Sequence, residues 1–261
     1  MQEFYCAFKT TDMYNRPLVI TDNVFLASQF KRIFDVLFPN IGCIAYAISK
    51  QSNAKYFEEY GIFANFIDLK DQQTINWMIN TYDIVFSVHC KQIFPPSLVK
   101  NIKCINLHPG YNPYNRGWYP QVFAILNNLP IGATIHEIDE ELDHGPIIAR
   151  QLIEKYDWDT SESLYNRVQQ AEIELMETHL ESIMEGTYRT ISPEKKGQVY
   201  LRKDFQALCE IDLNEKVSFQ EAINRLRALT HGAFKNAYFI GENGNKNFIC
   251  IQITQDGNDV N

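Results

Sequence analysis

The chain has 261 residues, of which 45% are hydrophobic and 13% are aromatic. This content supports a sizeable core and excludes a disordered or fibrous chain, and the length fits one large domain with at most a small appendage. The 24 Lys and Arg residues stand against 32 Asp and Glu residues, a formal net charge of -8. Such an acidic balance disfavours nucleic acid as the main partner, because phosphate-binding surfaces need clustered cations.

No segment has the apolar run of a signal peptide or a membrane span, so we expect a soluble cytoplasmic protein with no membrane partner. The cysteines are scattered and include no C-x-x-C pair. This spacing predicts buried structural thiols rather than disulfides or zinc ligands, and no metal site is expected. The cysteines are Cys6, Cys43, Cys90, Cys104, Cys209 and Cys250.

Short apolar runs alternate with helix-length amphipathic stretches through about residue 180. This rhythm predicts an open, mostly parallel, Rossmann-like sheet with helices on both faces. Strands are predicted at PLVITDN, GCIAYAIS, FANFIDL, DIVFSVHC and NIKCINLHPG, with helices at FLASQFKRIFDVLF and around TINWMIN. The run CINL lacks polar alternation, which indicates a strand covered on both faces.

The second half begins with a predicted helix at GWYPQVFAILNN and two strands in GATIHEIDEELDHGPIIARQLI, around an acidic loop. A long amphipathic helix follows, with Thr160 or Ser161 as its N-cap and Gly186 at its end. ISPEKKGQ reads as a linker, so we expect a catalytic domain over 1–190 and a small α+β region over 191–261. This region holds the helix SFQEAINRLRALTHG and a hairpin with a type I′ turn at Asn243-Gly244.

Asn106 and His108 lie at the end of a predicted strand, where their side chains project to the same face. Ligands bind at the carboxyl ends of strands in open parallel sheets. Asp143 comes immediately before a strand that opens with Gly145-Pro146. If that strand lies beside the first, Asp143 can orient the imidazole of His108, as in a hydrolytic triad. The structural alternatives are loop hydrogen bonds for the strand end and an Asx turn for Asp143.

No G-x-S-x-G motif marks a nucleophile, which favours direct transfer between two bound substrates. The segments INLHPGYNPYNRGWYPQVFAI and GATIHEIDEELDHGPII resemble the formyltransferase family that uses N10-formyltetrahydrofolate. SVHCKQIFP, INRLRALTHG and NAYF are similar to its sugar-nucleotide branch, which formylates the amine of dTDP-linked 4-amino-4,6-dideoxyhexoses.

The resemblance implies a transferase for lipopolysaccharide or O-antigen synthesis. Its co-substrate would be N10-formyltetrahydrofolate, its acceptor a dTDP-linked amino sugar, and no metal would be required. The apolar helix and hairpin of the tail suggest that the protein is a homodimer.

The catalytic residues of the family correspond to Asn106, His108 and Asp143. The implied mechanism is attack of the neutral sugar amine on the formyl carbon, with Asn106 and His108 stabilising the oxyanion. Asp143 would orient the imidazole and help to move a proton to the leaving nitrogen of the folate. The implied pterin slot is built by backbone around Ser87, Val88, His89, Ile93, Ile138 and Asp139.

A nucleotide diphosphate sugar needs cations for its pyrophosphate and a flat surface for its base. The cation candidates are Arg116, Arg202, Lys203 and Arg227, and the aromatic candidates are Tyr200, Phe234 and Tyr238. Lys91 and Gln92 could reach a phosphate or a sugar hydroxyl, and Trp118, with Tyr119, could wall the sugar pocket. Surface ion pairs, solvent-facing loops and core packing are the competing roles for these residues.

Two departures narrow the family assignment. The family also includes the purine-pathway glycinamide ribonucleotide enzyme and the methionyl-tRNA enzyme. Thr21-Asp22-Asn23 stands where the purine enzyme has its glycine-rich phosphate loop, and the short tail of an acidic chain fits tRNA poorly. Two other functions stay open: a formyltetrahydrofolate hydrolase, with water in place of the amine, and a catalytically silent folate- or nucleotide-binding module. Whether the acceptor amine is at C3 or C4 also stays open.

Overall fold

The computed structural model describes residues 13–42, 44–193 and 195–255. The strands are β1 (Pro17–Thr21), β2 (Ala45–Ser49), β3 (Ala64–Ile67), β4 (Ile84–Val88), β5 (Lys103–His108), β6 (Arg116–Gly117), β7 (Ile131–Glu137), β8 (Ile147–Ile153), β9 (Val199–Tyr200), β10 (Ala237–Ile240) and β11 (Lys246–Ile249). The helices are α1 (Val24–Leu37), α2 (Ala54–Glu58), α3 (Gln72–Thr81), α4 (Pro96–Val99), α5 (Pro120–Leu126), α6 (Ser161–Met184), α7 (Arg202–Cys209) and α8 (Phe219–Leu229).

Seven strands form one sheet in the order β3-β2-β1-β4-β5-β7-β8. The first five run parallel, whereas β7 is antiparallel to both β5 and β8. The predicted α/β class with an open, mostly parallel sheet is therefore confirmed. One premise was wrong: β8, which follows Gly145-Pro146, does not lie beside β5, because β7 separates them.

The sheet is covered on both faces, and the alternation along each strand decides which residue faces which layer. Phe86 and Leu107 pack in the cluster that contains the buried side chains of α1 and α6. Val85 and Cys104 pack with side chains of α3 and α4 on the opposite face. This two-sided burial is why the run through β5 shows no polar alternation.

The long helix α6 begins at a capping box, as the sequence indicates. The Thr160 hydroxyl accepts from the Ser163 amide at 3.4 Å, and the Ser163 hydroxyl accepts from the Thr160 amide at 3.1 Å. Gly186 follows the helix with φ 67°, the left-handed conformation that glycine adopts without strain. Along its length α6 contacts α1, β7, β8, α5 and α8, so it joins the sheet to the tail.

The tail differs from the prediction in three places. The helix α7 was not predicted, and the short strand β9 pairs in parallel with β6 in the loop after β5. The β10–β11 hairpin is present, but Asn243 does not have the positive φ that a type I′ turn requires. The turn instead closes from Gly244 N–H to the Gly241 carbonyl at 2.9 Å, with Gly244 at φ 76°.

The predicted linker at ISPEKKGQ is fastened to the body. Ile191 and Ile147 exchange two backbone hydrogen bonds, at 2.8 and 2.9 Å, and the Lys196 carbonyl accepts from Arg116 at 2.6 Å. These contacts hold the segment beside the loop after β5. The division at residue 190 stays a prediction.

In the described part of the chain, no helix is long and apolar enough to cross a membrane. The four described cysteines are unpaired, and these residues contain no cluster of three or more potential metal ligands. Cys104 is buried, Cys90 and Cys209 are partly buried, and Cys250 is exposed, so the prediction of a buried thiol was wrong for Cys250. Cys6 and Cys43 lie outside the described residues.

The capping box gives a test of the fold. Thr160→Ala should lower the free energy of unfolding by about 1 kcal/mol, because the Ser163 amide loses its acceptor. Urea denaturation measures the change. Thr178→Ala, in the exposed interior of the same helix, should have no destabilising effect because alanine favours a helix interior. Equal losses in the two variants would contradict the capping role.

Candidate active site

The structure brings together the three residues of the predicted trio. Asn106 and His108 extend from β5, and Asp143 comes from the loop between β7 and β8. Asn106 Nδ2 donates to Asp143 Oδ1 at 2.9 Å, and His108 Nδ1 lies 3.6 Å from Asp143 Oδ2. An amide, an imidazole and a carboxylate thus share one small polar site at the carboxyl end of β5.

Asp143 reaches this site because its loop folds back over the face of the sheet. The Asp143 carbonyl accepts from Asn112 Nδ2 at 3.0 Å, and the neighbouring Leu142 carbonyl accepts from the Arg116 guanidinium at 2.6 and 2.9 Å. The Gly117 amide donates to Asp143 Oδ2 at 2.9 Å. The loop after β5 therefore holds both the backbone and the carboxylate of Asp143, which itself has φ 46°.

Gly117 is required for this contact. Its φ is 91°, and a Cβ at this position would lie 2.1 Å from the Tyr200 carbonyl in β9. Glycine therefore lets the backbone pass close to the tail while its N–H points at the carboxylate.

The ring of His108 is fixed by its other nitrogen. Nε2 lies 2.8 Å from the Asn115 carbonyl, so Nε2 carries a hydrogen, since a carbonyl only accepts. Nδ1 is then the nitrogen that faces Asp143. Gly110 leaves room for the ring, because a Cβ there would lie 2.4 Å from Nε2.

His136 is a fourth member of the site, which the sequence reasoning missed. It stands opposite Asn106 in the β5–β7 register, and its Nδ1 donates to the Glu137 carbonyl at 2.7 Å. Its Nε2 lies 3.1 Å from Asn106 Nδ2 and 3.6 Å from Asp143 Oδ1. Both hydrogens of the Asn106 amide are thus directed at protein groups.

Burial and charge act in opposite directions on the trio. Burial by itself would raise the pKa of Asp143, but the charge of His108, the adjacent His136 and the Gly117 amide hold this pKa well below its usual range. Burial lowers the pKa of His108, and the charge of Asp143 opposes that effect only in part. Asp143 is therefore an anion at neutral pH, ready to stabilise a proton that arrives on His108.

A cavity of about 740 Å³ opens beside the trio, within the size range of small-molecule sites. Several predicted site residues line it. From the expected pterin slot these are Ser87, His89, Ile93, Ile138 and Asp139, and from the substrate candidates they are Lys91, Gln92, Trp118 and Phe234. The side chain of Gln92 is bonded to the backbone of Ile67 and Leu69, which makes it a brace for the neighbouring strand end.

Other candidates lie elsewhere. Val88 packs in the cluster with α1 and α6, on the opposite face of the sheet from Asn106. Arg116 is 1% exposed and donates to the carbonyls of Leu142 and Lys196, so its expected pyrophosphate role is corrected to a structural one.

Two further candidates contact other parts of the protein. Arg227 is buried and donates to the carbonyls of Tyr156 and Asp159, and Tyr200 stacks on Phe123 with ring centroids 3.9 Å apart. The exposed Arg202 and Lys203, and the hairpin residue Tyr238, lie outside the cavity wall.

A second polar group lies in the wall formed by α6 and the end of β4. His89 Nε2 is 2.7 Å from Glu172 Oε1, and His89 Nδ1 is 3.1 Å from the Tyr165 hydroxyl. Asn23 Nδ2 is 3.4 Å from both the Tyr165 hydroxyl and His89 Nδ1. The sequence signal for this group was a glutamate on the buried face of α6, in line with Leu164, Val168 and Leu175.

Comparisons with known proteins identify the family of this chain. Residues 42–180 match the family model described as formyl transferase, and residues 204–255 match the model described as the N-formyltransferase dimerization C-terminal domain. The chain belongs to the formyl transferase family. The predicted membership of its sugar-nucleotide branch is also confirmed, by the relatives below.

The chain is 49% identical over 174 residues to dTDP-4-amino-4,6-dideoxyglucose formyltransferase of Mycobacterium tuberculosis, which covers 67% of this chain and 74% of that protein. The crystal structure of a 4-N formyltransferase from Francisella tularensis is 42% identical, with a TM-score of 0.86, and the match covers 92% of this chain and 98% of that one. A sugar N-formyltransferase from Shewanella has a TM-score of 0.87 at 37% identity, with the same two coverages. The chain is accordingly a sugar N-formyltransferase.

The charge balance at Asp143 gives a test. The pKa of Asp143 is lower in the folded chain than its ordinary value of 3.8. The ionised carboxylate therefore stabilises the fold fully above pH 3.8, and this stabilisation is lost as the pH falls through the folded pKa. Asp143→Asn should therefore lower the free energy of unfolding by on the order of 3 kcal/mol at pH 7, and by less at pH 3.

Urea denaturation at pH 7, 4 and 3 measures this difference. Asp139→Asn is the matched control, because Asp139 lies in the same loop but is partly exposed and paired with His144. The charge argument would be disproved if the difference in unfolding free energy between Asp143→Asn and the unsubstituted protein stayed constant across the three pH values.

Proposed function

We propose that the chain transfers a formyl group from N10-formyltetrahydrofolate to the C4 amine of a dTDP-linked 4-amino-4,6-dideoxyhexose. The observation that carries this proposal is the convergence of Asn106, His108 and Asp143 beside a cavity large enough for two substrates. The names of the relatives support the position of the amine, since one is a 4-N formyltransferase and another acts on a 4-amino sugar.

The geometry supports direct transfer. The sugar nitrogen attacks the formyl carbon, and the carbonyl oxygen becomes a tetrahedral oxyanion that an Asn106 N–H and His108 stabilise. A proton then moves from the attacking nitrogen to N10 of the folate, and the C–N10 bond breaks. Asp143 holds His108 in place and balances its charge when it is protonated. Bringing the two substrates together supplies much of the acceleration.

The walls of the cavity suggest where each substrate lies. One wall is formed by the segments that follow β4 and β7, including Ile93, Ile138 and Asp139, and we assign the pterin to it. Another wall is formed by Trp118 together with Phe234 and His231 of the tail, and we assign the nucleotide sugar to it. Phe234 is largely exposed and offers a flat apolar surface for a base.

A cytoplasmic location and a role in O-antigen or lipopolysaccharide synthesis stay predictions. They fit a reaction that uses a nucleotide-linked sugar and a reduced folate.

The proposed reaction is tested directly by mass spectrometry. The protein with N10-formyltetrahydrofolate and dTDP-4-amino-4,6-dideoxyglucose should give a product heavier by one formyl group. His108→Asn should lower kcat by on the order of 10³-fold with a small change in KM, because His108 acts mainly in the transition state.

The outcomes separate the competing functions. Folate release without any acceptor would favour the hydrolase, and binding of both substrates without transfer would favour a silent binding module. Product from the 3-amino isomer alone would overturn the assignment of the C4 amine. Full activity of His108→Asn would remove His108 from the mechanism.

We also propose that the tail forms a homodimer. Apart from Phe234, six large apolar side chains among residues 204–255 are exposed, and apolar surface of this kind is common at protein interfaces. They are Leu213, Val217, Phe219, Ile223, Ile240 and Phe248. The matched description of residues 204–255 as a dimerization domain supports this assignment.

The dimer is tested by sedimentation. Phe219 is 90% exposed in the single chain, so Phe219→Asp should shift the protein from dimer to monomer by placing a charge in the interface. Phe63→Asp is the control, since Phe63 is as exposed but lies beside β3, far along the chain from the tail. A monomeric unsubstituted protein would contradict the proposal.

A further inference from the structure

The Asn23, Tyr165, His89 and Glu172 side chains form a chain of hydrogen bonds with one direction. Asn23 Oδ1 accepts from the Leu26 amide at the start of α1 at 3.0 Å, which fixes the amide so that its Nδ2 faces Tyr165. Glu172 Oε1 lies 2.7 Å from His89 Nε2, so Nε2 carries the ring hydrogen.

The donors and acceptors of the other hydrogen bonds follow from these two contacts. With its hydrogen on Nε2, the neutral ring of His89 accepts at Nδ1, and the Tyr165 hydroxyl donates to it at 3.1 Å. The Tyr165 oxygen in turn accepts from Asn23 at 3.4 Å. One acceptor site remains on the Tyr165 oxygen, and Tyr165 lines the cavity.

Glu172 is an unusual residue for the buried face of a helix. Its side chain is 0% exposed, and its Oε2 has no hydrogen-bond partner. A buried carboxylate with a single partner is costly unless a positive charge comes close to it. His89 Nε2 is 2.7 Å from Glu172 Oε1, so this carboxylate would stabilise a positive charge that arrives on the His89 ring.

The proposed reaction requires the amine of the acceptor sugar to lose a proton before it attacks. An alkyl amine on a hexose enters as an ammonium at neutral pH, and its nitrogen has no lone pair until one proton leaves. His108 is poorly suited to take this first proton, because its Nε2 is bonded to the Asn115 carbonyl and burial lowers its pKa.

We propose that Tyr165, His89 and Glu172 form a proton relay that deprotonates the ammonium of the acceptor sugar before it attacks. The ammonium gives a proton to the Tyr165 oxygen, while the Tyr165 hydroxyl proton passes to His89 Nδ1. The products are a neutral amine, an intact tyrosine and an imidazolium beside the Glu172 carboxylate. The positive charge moves from substrate to His89, and no other reactant is consumed.

The surroundings fit this role. Burial raises the pKa of Tyr165, with a further rise from the charge of Glu172, so the hydroxyl stays protonated and can act only as a relay. His89 and Tyr165 line the same cavity as the trio of Asn106, His108 and Asp143. The other titratable group against Tyr165 is His231, whose ring centroid lies 5.6 Å away and which is influenced by Glu162.

The test rests on the proposed function and compares two acceptors. One is dTDP-4-amino-4,6-dideoxyglucose, and the other is its 4-hydroxyamino analogue, whose nitrogen is already neutral at pH 7. Tyr165→Phe and Glu172→Gln should each lower kcat/KM for the amine by about 10²-fold at pH 7, the range of general base catalysis. Both variants should match the unsubstituted protein on the hydroxyamino analogue.

The pH profile gives a second readout. The deficit of both variants on the amine should shrink as the pH rises and free amine becomes available in solution. Glu174→Gln is the matched control, because Glu174 is on the same helix but is exposed and bonded to Gln151 and Gln170. Thermal unfolding shows whether each variant is folded. If Glu172→Gln does not fold, Tyr165→Phe alone provides the test.

The outcomes are distinct. An unsubstituted protein that formylates neither acceptor removes the proposed function, and the relay with it. An active unsubstituted protein with variants that lose the same factor on both acceptors, or lose nothing on the amine, overturns the relay alone.

Discussion

The site depends on one buried carboxylate. Asp143 lies in the loop between β7 and β8, and its carboxylate is held by the Asn106 amide, the Gly117 N–H and two histidines. These contacts come from β5, β6 and β7, and together they keep the carboxylate ionised in a place where burial alone would neutralise it. The positions of the imidazole and of the amide follow from that charge.

A second pair of a carboxylate and a histidine lies beside the cavity, and its carboxylate has a different environment from Asp143. Asp143 has several donors and one face near solvent, whereas Glu172 is completely buried and has a single partner. Pairs of ionisable groups in different environments are a common way for one site to handle two protons. Formyl transfer from a folate to an ammonium involves two such protons, one lost before attack and one delivered to the leaving nitrogen.

The sequence predicted the sheet and its helices because those features follow the hydrophobic period. It indicated Asn106 and His108 through their place at a strand end, and Asp143 through the resemblance of its loop to the family. It could not show that β7 inserts between β5 and β8, since strand order depends on contacts distant in the chain. It also misplaced Arg116 and Arg227, because a buried guanidinium bonded to carbonyls and a substrate-binding one have the same sequence signal. His136 was missed because only the register of β5 with β7 sets it beside Asn106.

The small sheet formed by the two-residue strands β6 and β9 links the tail to the loop after β5. Through Gly117 and Arg116, the segment around Lys196 and Tyr200 supports the same loop that carries Asp143. The tail is thus a structural support of the loop that holds the Asp143 carboxylate. A chimaera that borrows a foreign tail to change acceptor preference inherits a working centre only if these few matching backbone contacts travel with the graft.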